Sequence, residues 1–353
     1  MINYKRVAKM DRKIFRYCDL HNLEIVSYEN GNHVTYLLSD GTRIRYVPSI
    51  FSKKCTFDFA ENVDVKITNY CDGGCKYCHE NSSLRGKHAK LYDNKGELIP
   101  IFKTWHAGTE MAIGGGNPLE HPDFTKFVKD MTRKGVICNV TINQKHLPRC
   151  SESLKALIHD GAIKGVGISL NYYPTPEEEK VIDELKEMTK NIVFHVIAGI
   201  YNEALANYCE NNKVLILGYK SGTGRGSHFY EEHMQEIADG MNWLIKHLQR
   251  VKNWKKNFGV DFYETMSFDN AAIKQLSVKV ILGISDKEWR KRFQGNDYGD
   301  PKGKDAPSTF YFDAVKREIA RSSTQSKWQR IPYGKETFEE AFKISLSNYD
   351  IEE

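Results

Sequence analysis

A chain of 353 residues exceeds the ~100–200 typical of one domain, so one enlarged enzyme-sized domain or two domains is the starting expectation. Hydrophobic residues at 40%, charged residues at 27% and a mean hydropathy of −0.56 argue against a membrane protein, and no apolar run approaches the ~18–20 residues needed to cross a bilayer. The net charge of +5 permits an anionic substrate without demanding nucleic acid.

The opening MINYKRVAKMDRKIF is basic with no apolar stretch behind it, so no secretory leader is read and a cytoplasmic location is expected. A short helix is expected here. Residues 24–47, EIVSYENGNHVTYLLSDGTRIRYV, then alternate apolar and polar side chains, broken at Asn30-Gly31 and Asp40-Gly41. Those dipeptides supply the positive φ of tight hairpin turns, which predicts a three-stranded meander and an accessory N-terminal unit over 1–60.

From Val63 the rhythm changes to short strands alternating with helical patterns. The predicted strands are VDVKITNY (63–70), EMAIG (110–114), VICNVTIN (136–143), KGVGISL (164–170), NIVFHVIAG (191–199) and KVLILG (213–218), each followed by a helical pattern. The clearest helix starts at Thr175, with Pro176 in its first turn, Glu178 completing a capping box, and Val181, Ile182, Leu185 and Met188 on one stripe. A long amphipathic helix carries Met234, Ile237, Met241, Leu244, Leu248 and Val251. Such alternation implies parallel pairing through right-handed crossovers, hence an α/β fold: a partial (β/α)6 TIM-like barrel with its working face at the C-terminal strand ends. Beyond residue 226 come two further strand candidates, VDFYETMSF (260–268) and STFYFDAV (308–315), with QGNDYGDPKGKDAPS (294–308) between them as a loop. Residues 227–353 are read as a C-terminal α+β extension and substrate lid.

Eight cysteines in a chain of this size favour reduced thiols or metal ligands over disulfides. Five are scattered; Cys71, Cys75 and Cys78 form C-x3-C-x2-C in NYCDGGCKYCHEN, directly after the first predicted barrel strand. Three soft thiolates on one loop suit three irons of a cubane cluster and leave the fourth open. Gly73 and Gly74 let the backbone wrap closely around a bulky group. The competing readings are a zinc site of Cys71, Cys75, Cys78 and His79, whose adjacent last two ligands make awkward geometry, unrelated buried thiols, and a redox Cys75/Cys78 pair.

With Tyr77 just before the last cysteine, this motif resembles the signature of the radical S-adenosylmethionine (radical SAM) enzymes. The resemblance implies a [4Fe–4S] cluster on Cys71, Cys75 and Cys78, whose open iron chelates S-adenosyl-L-methionine. It further implies reductive cleavage to a 5′-deoxyadenosyl radical that abstracts hydrogen from a substrate, and an electron donor such as flavodoxin or ferredoxin. In MAIGGGNPLEHPDF, Gly115, Gly116 and Pro118 match the family's glycine-rich turn for the methionine amino group, while Asn117 stands where Glu is usual. By strand position, Asn143, Ser169 and Asn171 correspond to residues near the ribose, the backbone of Leu217 and Gly218 to an adenine contact, and Arg225 to a partner of the methionine carboxylate. The resemblance covers residues 61–226, the expected core, and no second cysteine cluster follows.

The substrate is not legible. Candidates for its contacts are His88, His195, Tyr263, Asp269, Asn270, Gln275, Asp313 and Arg321–Thr324. GYKSGTGRG lacks the G-K-[ST] ending of a phosphate-binding P-loop. The alternative function is an iron–sulfur nucleic-acid-binding or regulatory protein without radical turnover, motivated by KRVAKMDRKIFR (5–16) and VKNWKKNF (251–258), where basic and aromatic residues mix; a nucleotide or nucleic acid is therefore a candidate partner, and a membrane is not.

Overall fold

The computed structural model describes residues 4–48, 55–222, 224–292, 308–323, 325 and 329–347. Its first helix, α1 (Tyr4–His21), is longer than expected and lays Ile14 and Cys18 against Val34, Tyr36 and Leu38 of an antiparallel meander, β1 (Ile25–Asn30), β2 (His33–Leu38) and β3 (Arg43–Tyr46). Gly31, at the first turn, has φ +57°, and a Cβ there would lie 2.0 Å from the Thr56 carbonyl oxygen, so both conformation and space require glycine.

The second sheet contains β4 (Asn62–Thr68), β5 (Glu110–Gly115), β6 (Ile137–Asn143), β7 (Gly165–Ser169), β8 (Ile192–Ile197), β9 (Lys213–Leu217) and β10 (Thr265–Phe268) side by side in chain order, all parallel. The six expected strands are present and VDFYETMSF supplies the seventh. On the far side of β4 the sheet continues through β11 (Thr309–Asp313), parallel to β4, then antiparallel β12 (Glu318–Ala320) and β13 (Ile331–Pro332). Among the described residues β10 and β13 are the unpaired ends, so the parallel sheet is open rather than a closed barrel.

Most crossovers are helical as expected: α3 (Phe124–Arg133), α4 (Leu147–His159), α5 (Pro176–Met188) and α6 (Glu203–Tyr208) follow β5, β6, β7 and β8. After β9 come α7 (Gly224–Glu232) and α8 (Met234–Phe258), then α9 (Asn270–Gln275), α10 (Val278–Leu282), α11 (Asp286–Arg292) and α12 (Phe338–Ser347). The capping box of α5 is present, with the Glu178 amide donating to Thr175 Oγ1 at 3.3 Å and the Thr175 amide to Glu178 Oε2 at 2.9 Å. The exception is the first crossover, where residues 69–99 form an irregular loop before a single helical turn, α2 (Pro100–Lys103). Its backbone is tied down by local bonds instead, including Cys71 N–H to the Ser83 carbonyl at 3.0 Å and Asn69 N–H to the Lys87 carbonyl at 2.9 Å. The expected loop at 294–308 lies outside the described residues except for Ser308, as does Thr324.

Side chains alternate strictly across the sheet. Val63, Val65 and Ile67 on β4, Cys138, Val140 and Ile142 on β6, and Ile192, Phe194 and Val196 on β8 are buried beneath the helices. The opposite face carries Asn62, Asp64 and Lys66 on β4, Ala112 and Gly114 on β5, Asn139 and Thr141 on β6, Gly167 and Ser169 on β7, and His195 on β8. A closed (β/α)8 barrel fills its centre with bulky branched residues. Here small and polar inward residues leave a lumen of about 870 Å³. The meander seats at the N-terminal end of this lumen: Gly41 lines it, Arg43 pairs with Glu110, and Lys213 Nζ donates to the Asp40 carbonyl at 2.7 Å.

Candidate functional site

The three cysteines sit where β4 runs out at the C-terminal end of the sheet. All three are free thiols of intermediate exposure on one curled loop. The Gly73 amide donates to Cys71 Sγ at 3.3 Å, and a Cβ at Gly73 would meet that sulfur at 3.3 Å and His146 Nε2 at 3.2 Å, so glycine keeps the space beside the thiol open. Burial pushes the Cys71 and Cys75 thiols above their ordinary value, a penalty that metal ligation of the thiolates would offset. The donor set fits an iron–sulfur cluster better than zinc. His79 turns away from the cysteines towards Glu80 Oε1 and Lys220 Nζ, both at 3.4 Å. The tight convergence among the described residues is instead Cys71, Asp72 and His146: His146 Nε2 lies 3.4 Å from Cys71 Sγ, and its Nδ1 lies 3.3 Å from Asp72 Oδ1. Arg149 grips that carboxylate at 2.5 and 3.2 Å.

The glycine-rich turn packs directly against the cysteine loop. Gly116 N–H donates to the Thr68 carbonyl and Asn117 N–H to the Tyr70 carbonyl, both at 2.8 Å. A Cβ at Gly115 would come within 2.3 Å of the Thr68 oxygen, and one at Gly116 within 2.1 Å of the Tyr70 oxygen. Both glycines are therefore required by backbone packing, and Gly115, at φ +117°, by conformation as well. Buried Pro118 begins a 3₁₀ turn. The Asn117 side chain is fully buried and turns inward, its Nδ2 3.7 Å from Cys150 Sγ, so the departure from Glu faces the core.

Asn143 and Asn171 converge on one sulfur, each placing Nδ2 3.7 Å from Cys75 Sγ. Ser169 and Leu217 line the lumen. Gly218 follows Leu217, and its N–H donates to Asp269 Oδ1 at 2.8 Å. Tyr77 packs edge-on against Phe229. Arg225 is engaged by the cysteine loop, with Nε 3.0 Å from the Cys75 carbonyl and Nη1 2.9 Å from the Ser82 carbonyl.

The remaining sequence candidates divide cleanly. His195, Asp269, Asn270, Gln275 and Arg321 line the lumen. Tyr263 does not; it is buried between Tyr201 and His247, with hydroxyl contacts of 2.9 and 2.7 Å. His88 holds Thr68 Oγ1 at 2.9 Å and supports the end of β4. Trp254, in the aromatic-basic stretch, packs against Phe258 and Phe262.

Sequence reasoning missed a charged wall. Lys66 pairs with Glu80 and with Asp313 Oδ2 at 3.1 Å, Glu80 Oε1 accepts from Tyr311 at 3.2 Å, and Lys220 Nζ reaches His79 Nε2 at 3.4 Å and Ser323 Oγ at 3.0 Å. Burial alone would raise the Glu80 carboxyl, but His79 and Lys66 outweigh it and hold it well below the usual carboxylate range. The wall joins the two residues after Cys78 to the C-terminal strands. Its signal in the sequence was Asp64 and Lys66 alternating with valines in a central parallel strand, a place where both faces are normally apolar.

Residues 65–221 match the family model of the radical SAM superfamily. No curated protein matches the chain in sequence. Thirteen solved chains match it in structure. Among them, Streptococcus suis SuiB bound to the precursor peptide SuiA has a TM-score of 0.47 at 12% identity, covering 84% of this chain and 65% of that one. Streptococcus suis SuiB bound to S-adenosylmethionine has a TM-score of 0.44 at 11% identity, covering 74% and 60%. The chain thus spans less than two thirds of the length of either. No helix among the described residues is long and apolar enough to cross a membrane.

Proposed function

We propose, for a chain whose residues 65–221 belong to the radical SAM superfamily, that it is an enzyme binding a [4Fe–4S] cluster and S-adenosyl-L-methionine at the C-terminal end of its parallel sheet and acting on a substrate in the lumen. One observation carries this reading: three free, half-exposed thiols lie on a loop whose backbone is bonded to a glycine turn at the mouth of a polar cavity. Held there by Cys71, Cys75 and Cys78, the cluster with its cosubstrate would supply a 5′-deoxyadenosyl radical able to take hydrogen from the substrate.

The chain's own residues hold and shield. Cys71, Cys75 and Cys78 are the cluster ligands, and the Gly115–Pro118 turn offers backbone groups to the methionine amino end. Asn143, Ser169 and Asn171 stand along the strand ends for the ribose, with Leu217 and Gly218 near the adenine. Tyr77 packs under the loop, and Arg225 holds it. The walls around the lumen exclude water and competing hydrogen donors while a primary radical exists.

Anaerobic reconstitution followed by reduction with dithionite, or with flavodoxin or ferredoxin as donor, tests the proposal. About four irons and four sulfides per chain and formation of 5′-deoxyadenosine are expected. An iron–sulfur regulator that binds nucleic acid would take up iron and form no deoxyadenosine. Tightly bound zinc with no iron would remove the cluster assignment.

A further inference from the structure

The inner wall of the lumen presents opposite charges that do not meet. The carboxylate of Asp64, midway along β4, forms no hydrogen bond or ion pair among the described residues, and its exposed surface faces the lumen. Lys220, beyond the end of β9, touches a hydroxyl and an imidazole, Ser323 and His79, but among the described residues no carboxylate lies within ion-pair reach. Burial pushes the Asp64 carboxyl up; the charge of Lys220 opposes this across the gap, and Asp269 adds to it.

His195 also lines the lumen, and its ring has no hydrogen-bond partner among the described residues. Its ring lies against Gly167, where a Cβ would come within 2.4 Å of Cε1 and 2.6 Å of Nε2, so the missing side chain is what admits the ring. Burial first, and the Lys220 charge second, push it down to about 4, leaving a neutral imidazole with one donor and one acceptor nitrogen at neutral pH.

Resting on the cofactor reading above, we infer that the lumen takes a small zwitterion of the α-amino acid type, its carboxylate at Lys220 and its ammonium group at Asp64. The other charged residues lining the lumen balance, Lys66, Lys274 and Arg321 against Glu80, Glu110 and Asp269, so the unmatched pair favours a ligand carrying one charge of each sign over a phosphate or nucleotide. Asp64 lies four residues below Thr68, about 13 Å along the strand from the start of the cysteine loop, so the ammonium end is deeper than the proposed cosubstrate groups, while Lys220, two residues past Gly218 and beside His79, holds the carboxylate end nearer the mouth. Pockets of ~300–1,000 Å³ hold one drug-sized ligand, so about 870 Å³ shared with S-adenosylmethionine leaves room for a small molecule.

The test is anaerobic equilibrium dialysis of the cluster-loaded protein, with S-adenosylmethionine present, against an equimolar mixture of the twenty common L-α-amino acids, read by mass spectrometry. Retention of one or a few is expected, with at least tenfold weaker binding of the methyl ester, the N-acetyl derivative and the decarboxylated amine of the retained compound. Asp64→Asn should cost tenfold for the amino acid but little for its N-acetyl form. Lys220→Met should do the same for the acid against its ester. Iron content and S-adenosylmethionine affinity should be unchanged in both variants. Full iron and cosubstrate occupancy with no amino acid retained, or equal binding of the masked forms to the wild-type protein, overturns the inference without touching the cofactor reading. Amino acid retention without iron or S-adenosylmethionine uptake overturns the cofactor reading and supports the charge pairing.

Discussion

Arg225 donates through Nε to the carbonyl oxygen of Cys75 at 3.0 Å, across 150 residues of chain. Its Nη1 completes the grip on Asn81 Oδ1 at 3.2 Å and on the Ser82 carbonyl at 2.9 Å. Three charge-assisted bonds, each worth roughly 1.5–3 kcal/mol, hold the loop that carries the cysteines. Arg225→Ala should therefore form its cluster more slowly and lose it several-fold faster under a chelator, with Arg225→Lys intermediate. Iron retained over time is the measurement. An unchanged loss rate with weakened S-adenosylmethionine binding would return Arg225 to the carboxylate role that family resemblance implies.

Five of the eight cysteines should separate into two chemical groups. Cys138 and Cys209 are buried, and burial pushes each up to about 12, so neither offers appreciable thiolate at neutral pH. Pulsed alkylation of metal-free protein, read by peptide mass spectrometry, should label Cys71, Cys75 and Cys78 and spare Cys138 and Cys209; reconstitution should protect the first three. Labelling that persists at those three after iron uptake would place the iron elsewhere.

The strand order was legible because alternation of buried and lumen-facing residues runs through every strand from β4 to β9. Thr175 and Glu178 announced α5 for an equally local reason, a cap whose partners lie three residues apart. The first crossover misled because residues 69–99 bond to their own backbone around the cysteines, and helical spacing of apolar residues there has no helix to report. Gly115 and Gly116 were legible as a motif, although their necessity comes from the carbonyls of Thr68 and Tyr70, nearly fifty residues earlier. The Lys66–Glu80–His79–Lys220 wall was hidden because its members come from a strand and two loops. Only folding brings them together.

Glu61 ties the meander to the barrel strands. Fully buried, it accepts from His33 Nε2 at 3.0 Å, Arg45 Nε at 2.6 Å and Thr35 Oγ1. Burial would raise its carboxyl, but His33, Arg45 and Arg43 together hold it at about 2 against an ordinary 4.5. A carboxyl lowered in the folded state contributes stability that is complete above its unfolded value and is lost as pH falls towards the folded one. Thermal stability attributable to Glu61 should therefore hold above pH ~4.5 and decline between there and pH ~2. Glu61→Ala should cost about 3–5 kcal/mol at neutral pH by leaving buried charge uncompensated, and should flatten that acid decline. Melting curves of both proteins from pH 6 to pH 3 decide it, and an equal acid slope in the variant would sink the assignment.

The C-terminal third reaches the lumen with Asp269, Gln275 and Arg321, as a lid would, yet it also builds the sheet. β10 pairs along β9 from Thr265–Lys213 to Phe268–Ile216, and β11 pairs along β4 from Thr309–Asn62 to Asp313–Lys66. Phe310, Phe312, Phe338 and Phe342 are fully buried in the same core as the barrel strands, with the Phe312 ring 5.8 Å from Phe102 and the Phe338 ring 4.4 Å from Trp105. Losing one buried phenylalanine costs about 3–5 kcal/mol, whereas whole domains are stable by only about 5–15 kcal/mol. Truncation after Lys256 should thus abolish cooperative unfolding altogether, rather than yield a folded barrel with an uncovered mouth. Circular dichroism melting and gel filtration of the truncated chain check this; a sharp transition with normal iron uptake would show that the last third only covers the site. The lid contribution is then separable only by point changes that spare the sheet. Arg321→Ala should leave the melting temperature within a few degrees of wild type while raising the ratio of deoxyadenosine formed to substrate consumed.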